Sequence, residues 1–131
     1  MANAKPVSNP LATTEALKLS DGSPPTDASL YRQTLGSLQY LSLTRPDVSF
    51  AINKLSQFMH SPSTLHWSAV KRLIRYLVGT IDYGIMLRTN SPQTLHAFAD
   101  ADWACDPNDR TSTSAYVLFL GTNPISSSSK K

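Results

Sequence analysis

Two groups of side chains in this 131-residue sequence have types and spacings that suit chemistry. The first is acidic. Asp100, Asp102, Asp106 and Asp109 crowd into one short stretch that could hold a cation, with Asp100 and Asp102 able to bind a metal weakly, while Asp106 and Asp109 belong to a turn or loop by composition. The second is basic. Ser68, Lys71, Arg72 and Arg75 stand at i, i+3, i+4 and i+7, which puts them on one face of a helix, where cations can meet phosphates. Other arrangements are excluded. An EF-hand loop fails because Ala104 stands where the third ligand should be and neither the glycine nor the distal Glu follows. His60, His66 and His96 are too scattered for a zinc site, and the one cysteine, Cys105, rules out both a disulfide framework and a multi-cysteine zinc centre. No activating base neighbours Cys105 in sequence, so no chemistry is assigned to it.

The charge is unevenly placed. The chain carries +3 overall, from 12 Lys and Arg against 9 Asp and Glu. Residues 28–80 hold Arg32, Arg45, Lys54, Lys71, Arg72 and Arg75 against Asp47 alone, while the flanking stretches are each slightly acidic. That asymmetry points to a polyanion-facing part beside a part able to hold a cation. At 40% hydrophobic residues the chain can build a core. No apolar run approaches the roughly 20 residues of a membrane span, and the N-terminus shows no apolar secretory segment. An intracellular chain with no membrane partner is expected, its compartment unknown.

The elements that must position these residues can be read from periodicity and punctuation. Residues 1–27, with four of the nine prolines, read as an extended, partly disordered lead. Three helices follow. The first spans about 28–43, with Asp27 as N-cap and Tyr31, Leu35, Leu38 and Leu41 at helical spacing. The second opens at Thr44-Arg45-Pro46-Asp47, with Thr44 as the cap, and carries the stripe Val48, Ala51, Ile52, Leu55, Phe58 and Met59. The third starts at Ser63 or Thr64 and stops at Gly79, burying Trp67, Val70, Ile74, Leu77 and Val78. Beyond Gly79 the period turns extended, and 84–88, 95–100 and 112–120 read as strands. The last candidate strand, near Pro124 and Ile125, runs into serines and two lysines, and residues 126–131 are expected to be disordered. Trp67 and Trp103 are expected to be core anchors. This defines an α+β chain, a small three-helix bundle followed by an incomplete sheet.

Several stretches, in order, resemble one family. YRQTLGSLQYLSLTRPDVSFAINKLSQFMHSP (31–62) and HWSAVKRLIRYLVGT (66–80) resemble the thumb-like helices that follow the reverse transcriptase palm in copia-type retrotransposon Pol polyproteins. KPVSNPLATT (5–14) resembles the join between palm and thumb. FADADWACDPNDRTSTSAYVLFLGTNPISSSSKK (98–131) resembles the start of the RNase H domain that comes next. The implied division is 1–27 as lead, 28–80 as thumb-like segment and 81–131 as the truncated N-terminal part of an RNase H-like domain. Three positions depart from the family pattern: Cys105 and Ala115 replace glycines, and Ser127 replaces a tryptophan.

The resemblance implies particular roles. Lys71, Arg72 and Arg75 would contact the backbone of an RNA–DNA hybrid or duplex DNA, weakly and without reading bases. Asp100 would be the first catalytic and metal-binding carboxylate of the nuclease. The family's later catalytic Glu and Asp would fall beyond Lys131, and the one Glu present is Glu15 in the lead. The polymerase's Tyr-x-Asp-Asp turn does not occur in these 131 residues, nor does any Asp-Asp pair. Mg²⁺ belongs to the parent family, and none is expected for this chain alone. The expected function is that of a retrotransposon Pol fragment, catalytically inactive by itself, that binds nucleic acid. Its further partners would be the rest of a Pol polyprotein or a second copy. The alternatives are a non-catalytic protein-interaction module or a functionless remnant of a decayed element.

Overall fold

The computed structural model describes residues 5–12, 17–104, 106 and 109–131. Asp27 starts the first helix, α1 (Ala28–Gln39), by accepting hydrogen bonds at its carboxylate from the Ser29 and Leu30 amides, two donors that no intrahelical carbonyl can reach. The chain then tightens into a 3-10 turn over Tyr40–Leu43. A second 3-10 turn, Pro46–Val48, leads into α2 (Ser49–Ser56). Thr44 does not cap it. Its hydroxyl donates back to the Leu41 carbonyl, because the preceding 3-10 turn leaves that acceptor within reach.

The third helix, α3 (Thr64–Gly79), begins with a capping box. The Ser63 hydroxyl accepts from the His66 amide, and the His66 ring accepts from the Ser63 amide. Its core face is His66, Val70, Leu73 and Tyr76, turned by about one residue from the expected stripe. Val78 is exposed, and Trp67, Ile74 and Leu77 pack at the margin. The rotation follows from the partners. Tyr31 and Leu35 of α1, Ala51, Ile52 and Leu55 of α2, and Phe58 form a closed cluster that admits one face of α3. Tyr31 is fully buried, yet its hydroxyl donates to the Leu55 carbonyl at 2.8 Å, so the phenol is satisfied inside the core.

The lead is tied to this bundle. Leu17 is buried in the core, and Val7 and Leu11 pack against it. Pro25 and Ser63 form an antiparallel bridge, flanked by Thr26 N–H to Pro62 C=O at 3.0 Å and Thr64 N–H to Pro24 C=O at 2.9 Å. Composition alone suggested partial disorder here; for residues 17–27, backbone pairing and one buried leucine decide otherwise.

The three strands make an antiparallel sheet in sequence order: β1 (Leu95–Ala101), β2 (Ser114–Leu120) and β3 (Asn123–Lys130). Two expectations are corrected here. Residues 84–88 form no strand, since the Arg88 amide and carbonyl are satisfied by the side-chain amide of Asn123 instead of a ladder. The serine-rich end is β3, not a disordered tail. Its main chain pairs with β2 from Leu120↔Asn123 to Ser114↔Lys130, which supplies ordering that side-chain hydrophobicity does not. None of the buried apolar core lies in the sheet. Every residue of β1 is exposed.

Candidate nucleic-acid interface and acidic crevice

α3 carries Lys71, Arg72 and Arg75 within little more than one turn and no carboxylate anywhere in its length. Its other face is locked into the core through Val70, Leu73 and Tyr76, which leaves Lys71 exposed and Arg72 and Arg75 half-buried at the surface. Two of them are held in place. The Lys71 ammonium lies 5.8 Å from the centroid of the Trp67 ring, a cation–π contact, and Trp67 in turn rests against Tyr31. Arg72 donates through Nε to the Asn9 carbonyl at 3.3 Å, which brings the lead alongside the helix. Among the described residues no carboxylate pairs with any of the three. Like charges spaced three and four residues apart on a helix repel by a few tenths of a kcal/mol per pair, a cost that a bound polyanion would reverse.

The acidic group does not stay together. Asp106 is buried and holds the Lys54 ammonium of α2 at 2.6 Å and the Lys131 ammonium at 3.1 Å. Asp109 binds Lys131 at 2.9 Å and accepts from the Thr111 amide and hydroxyl. The Thr111 bonds, followed by that of Lys131, hold its carboxyl below the usual range. These two carboxylates fasten the end of β3 and the loop before β2 to α2. Asp100 and Asp102 stand apart, on a crevice of about 290 Å³ between the sheet and the start of α2. Pro46, Ser49 and Phe50 form one wall, with Ala115, Val117, Ser127 and Ser129 on the other. Asp100 accepts from the Ala101 amide, and Asp102 accepts from the Thr113 amide. Among the described residues no three His, Cys, Asp or Glu side chains come together as a metal-binding group. No residue of α3 lines this crevice, so the basic and acidic groups make two separate surfaces.

The positions that depart from the family pattern can be placed in part. Ala115 sits in regular β2 pairing, opposite Asp100 and Ser129, where nothing demands glycine. Ser127 points to the crevice, half-buried. Cys105 and Glu15 lie outside the described residues. Trp103 is 92% exposed, so it is no core anchor; it immediately precedes Ala104, whose φ is +48°.

Sequence reasoning missed two clusters. Arg45 is buried and donates to both carboxylate oxygens of Asp47 and to the carbonyl and hydroxyl of Thr80, beside the rings of Tyr76 and Tyr83. The Arg45 bonds, helped by the Tyr76 hydroxyl, hold the Asp47 carboxyl below the usual range. The second joins Asp21, Ser63 and His66. The two close contacts 35 and 42 residues apart in the chain, and no local spacing announces such a pairing.

Comparison with known proteins gives the class to which this arrangement belongs. The whole chain is 53% identical to the retrovirus-related Pol polyprotein from transposon RE2 of Arabidopsis thaliana and 52% identical to that from transposon RE1 of the same plant, covering 9% of each. It is also 42% identical along its whole length to an uncharacterized mitochondrial protein of Arabidopsis thaliana, of which it covers 54%. No protein-family profile matches the chain, and no solved structure does. The chain is homologous to a segment of about 131 residues of the copia-type retrotransposon Pol polyproteins.

Proposed function

We propose that this segment spans the thumb-like helices of the Pol reverse transcriptase and the opening strands of its RNase H domain, and that the outer face of α3 grips the backbone of an RNA–DNA hybrid or duplex. The observation that carries the reading is Lys71, Arg72 and Arg75 on one outward face, with no carboxylate in α3 and none pairing with them among the described residues. A three-stranded antiparallel sheet with Asp100 near the end of its first strand is the arrangement the RNase H resemblance implies. The described residues do not assemble a Mg²⁺ site around Asp100, where Asp102 is the one neighbouring carboxylate on the crevice and is engaged with the Thr113 amide. No hydrolytic step is therefore assigned to them.

Contacts of this kind fix position without reading sequence, so hybrids of unrelated sequence should bind alike. The charge-reversed double variant Lys71→Glu/Arg75→Glu tests the surface and spares Arg72, whose bond to Asn9 holds the lead. Loss of most of the binding, with the circular dichroism of the folded chain retained, is the expected result. Unchanged affinity in that folded variant would contradict the reading.

A further inference from the structure

We propose that His66 is the catch of a proton-operated latch that holds residues 17–25 against the start of α3. The inference is independent of the nucleic-acid reading and rests on how each proton at this site is committed. His66 is fully buried and stacks on Phe58 with ring centroids 4.0 Å apart. Its Nδ1 accepts from the Ser63 amide at 3.0 Å. An amide can only donate, so Nδ1 carries no proton. Its Nε2 lies 2.9 Å from the Lys18 carbonyl, which can only accept, so Nε2 carries the proton. The Ser63 hydroxyl is committed as well, accepting from the His66 amide and donating to Asp21 at 2.6 Å.

The site therefore fits one form of the ring, the neutral Nε2–H tautomer. A second proton at Nδ1 would face the Ser63 N–H, donor against donor, and could turn only to the Ser63 hydroxyl oxygen 3.2 Å away, which gives up the ring's bond to the Ser63 amide and breaks the capping box that starts α3. The strain would fall where the lead is fastened, since the Pro25–Ser63 bridge shares that residue and the bonds of Thr26 and Thr64 flank it. The titratable group facing the ring is Asp21, 3.7 Å from Nε2. It favours the imidazolium, as does the Lys18 carbonyl, but burial outweighs both and His66 is held below its ordinary 6.5. The contribution of His66 to holding the lead is thus present above 6.5 and is lost as pH falls from there through the folded value.

Hydrogen exchange by NMR on the full chain tests this. Between pH 7.5 and pH 5.5, after correction for intrinsic rates, protection of the Thr26 and Thr64 amides should fall, with about tenfold as the ceiling set by an open-state imidazole titrating at 6.5. The Leu73 amide, in the middle of α3, should hold its protection. His66→Gln keeps an acceptor at the third helical position of the capping box but cannot titrate, and its Thr26 and Thr64 protection should be flat. Asp21 titrates below this window and cannot mimic the effect. Protection in the wild type that ignores pH, or the same fall in His66→Gln, would overturn the proposal. Should that variant fail to fold, the wild-type imidazole resonances decide. A His66 midpoint below 6.5 that coincides with the opening of the two amides supports the latch; a midpoint at or above 6.5, or one unrelated to the amides, overturns it.

Discussion

Arg45 makes four hydrogen bonds from a buried position, two to Asp47 and two to Thr80, and so joins the entrance of α2 to the exit of α3. Replacing it with alanine leaves Asp47 and the Thr80 carbonyl without those partners. Arg45→Ala should cost about 2–3 kcal/mol in chemical denaturation, the range for breaking a charge-assisted network that water partly reaches. Its acid dependence is also fixed in sign. The Asp47 carboxyl is depressed in the folded chain, so its contribution is present above the unfolded value of 3.8 and is lost as pH falls through the folded value. Asp47→Asn should therefore flatten the acid limb of a stability–pH curve below pH 4; a limb of undiminished slope would assign the effect elsewhere. Little of this was legible beforehand. Arg45 reads in sequence as one more member of a basic middle stretch, and its partners Thr80 and Tyr83 come two helices later in the chain.

At the scale of elements, the sequence carried the helices well because their punctuation is chemical. Asp27 and Ser63 begin helices through hydrogen bonds that those residue types supply locally, whereas Gly79 closes α3 as its last helical residue, where a Cβ would meet the Pro6 side chain at 2.7 Å. The strands were harder. β3 is rich in serine, and its stability comes from ladder bonds to β2 and from the Lys131 pairs with Asp106 and Asp109, all of them long-range. Residues 84–88 have strand-like composition but no strand beside them. The hairpin joining β2 and β3 has a local signature that composition hides. Gly121 adopts φ +59° at the first position of a two-residue turn, the place where such hairpins favour glycine. A Cβ there would also strike the Pro92 carbonyl and the Ser91 hydroxyl. Gly121→Ala should lower stability by about 1–3 kcal/mol and speed exchange along β2 and β3 more than in α3. Equal losses in helix and sheet would show the two parts to unfold as one unit.

Over the whole molecule, the weight of the packing is in the helices. The buried apolar cluster belongs to the three helices, Phe58, Val48 and Leu17, whereas the sheet shows Leu95, Phe98, Tyr116 and Ile125 to solvent. Truncating the core at Leu55, which is fully buried, should cost about 2–5 kcal/mol and unfold the chain at far lower denaturant than any substitution in β1, where every residue is exposed. The α+β succession of three helices and a sheet was readable from the change of period after Gly79. The separation of the acidic group into two structural ion-pair partners and two crevice carboxylates was not, because Lys54 and Lys131 sit far from Asp106 in sequence.

The central claim is that the outward face of α3 is a backbone-directed nucleic-acid surface. Its most direct test is a fluorescence-anisotropy titration of the chain into a labelled RNA–DNA hybrid at two salt concentrations with Mg²⁺ present. With two or three phosphates neutralised, log K should fall with log salt at a slope of roughly −2 to −3, with no cleavage of the hybrid. Failure to bind at low salt, or affinity that does not change with salt, would contradict the claim.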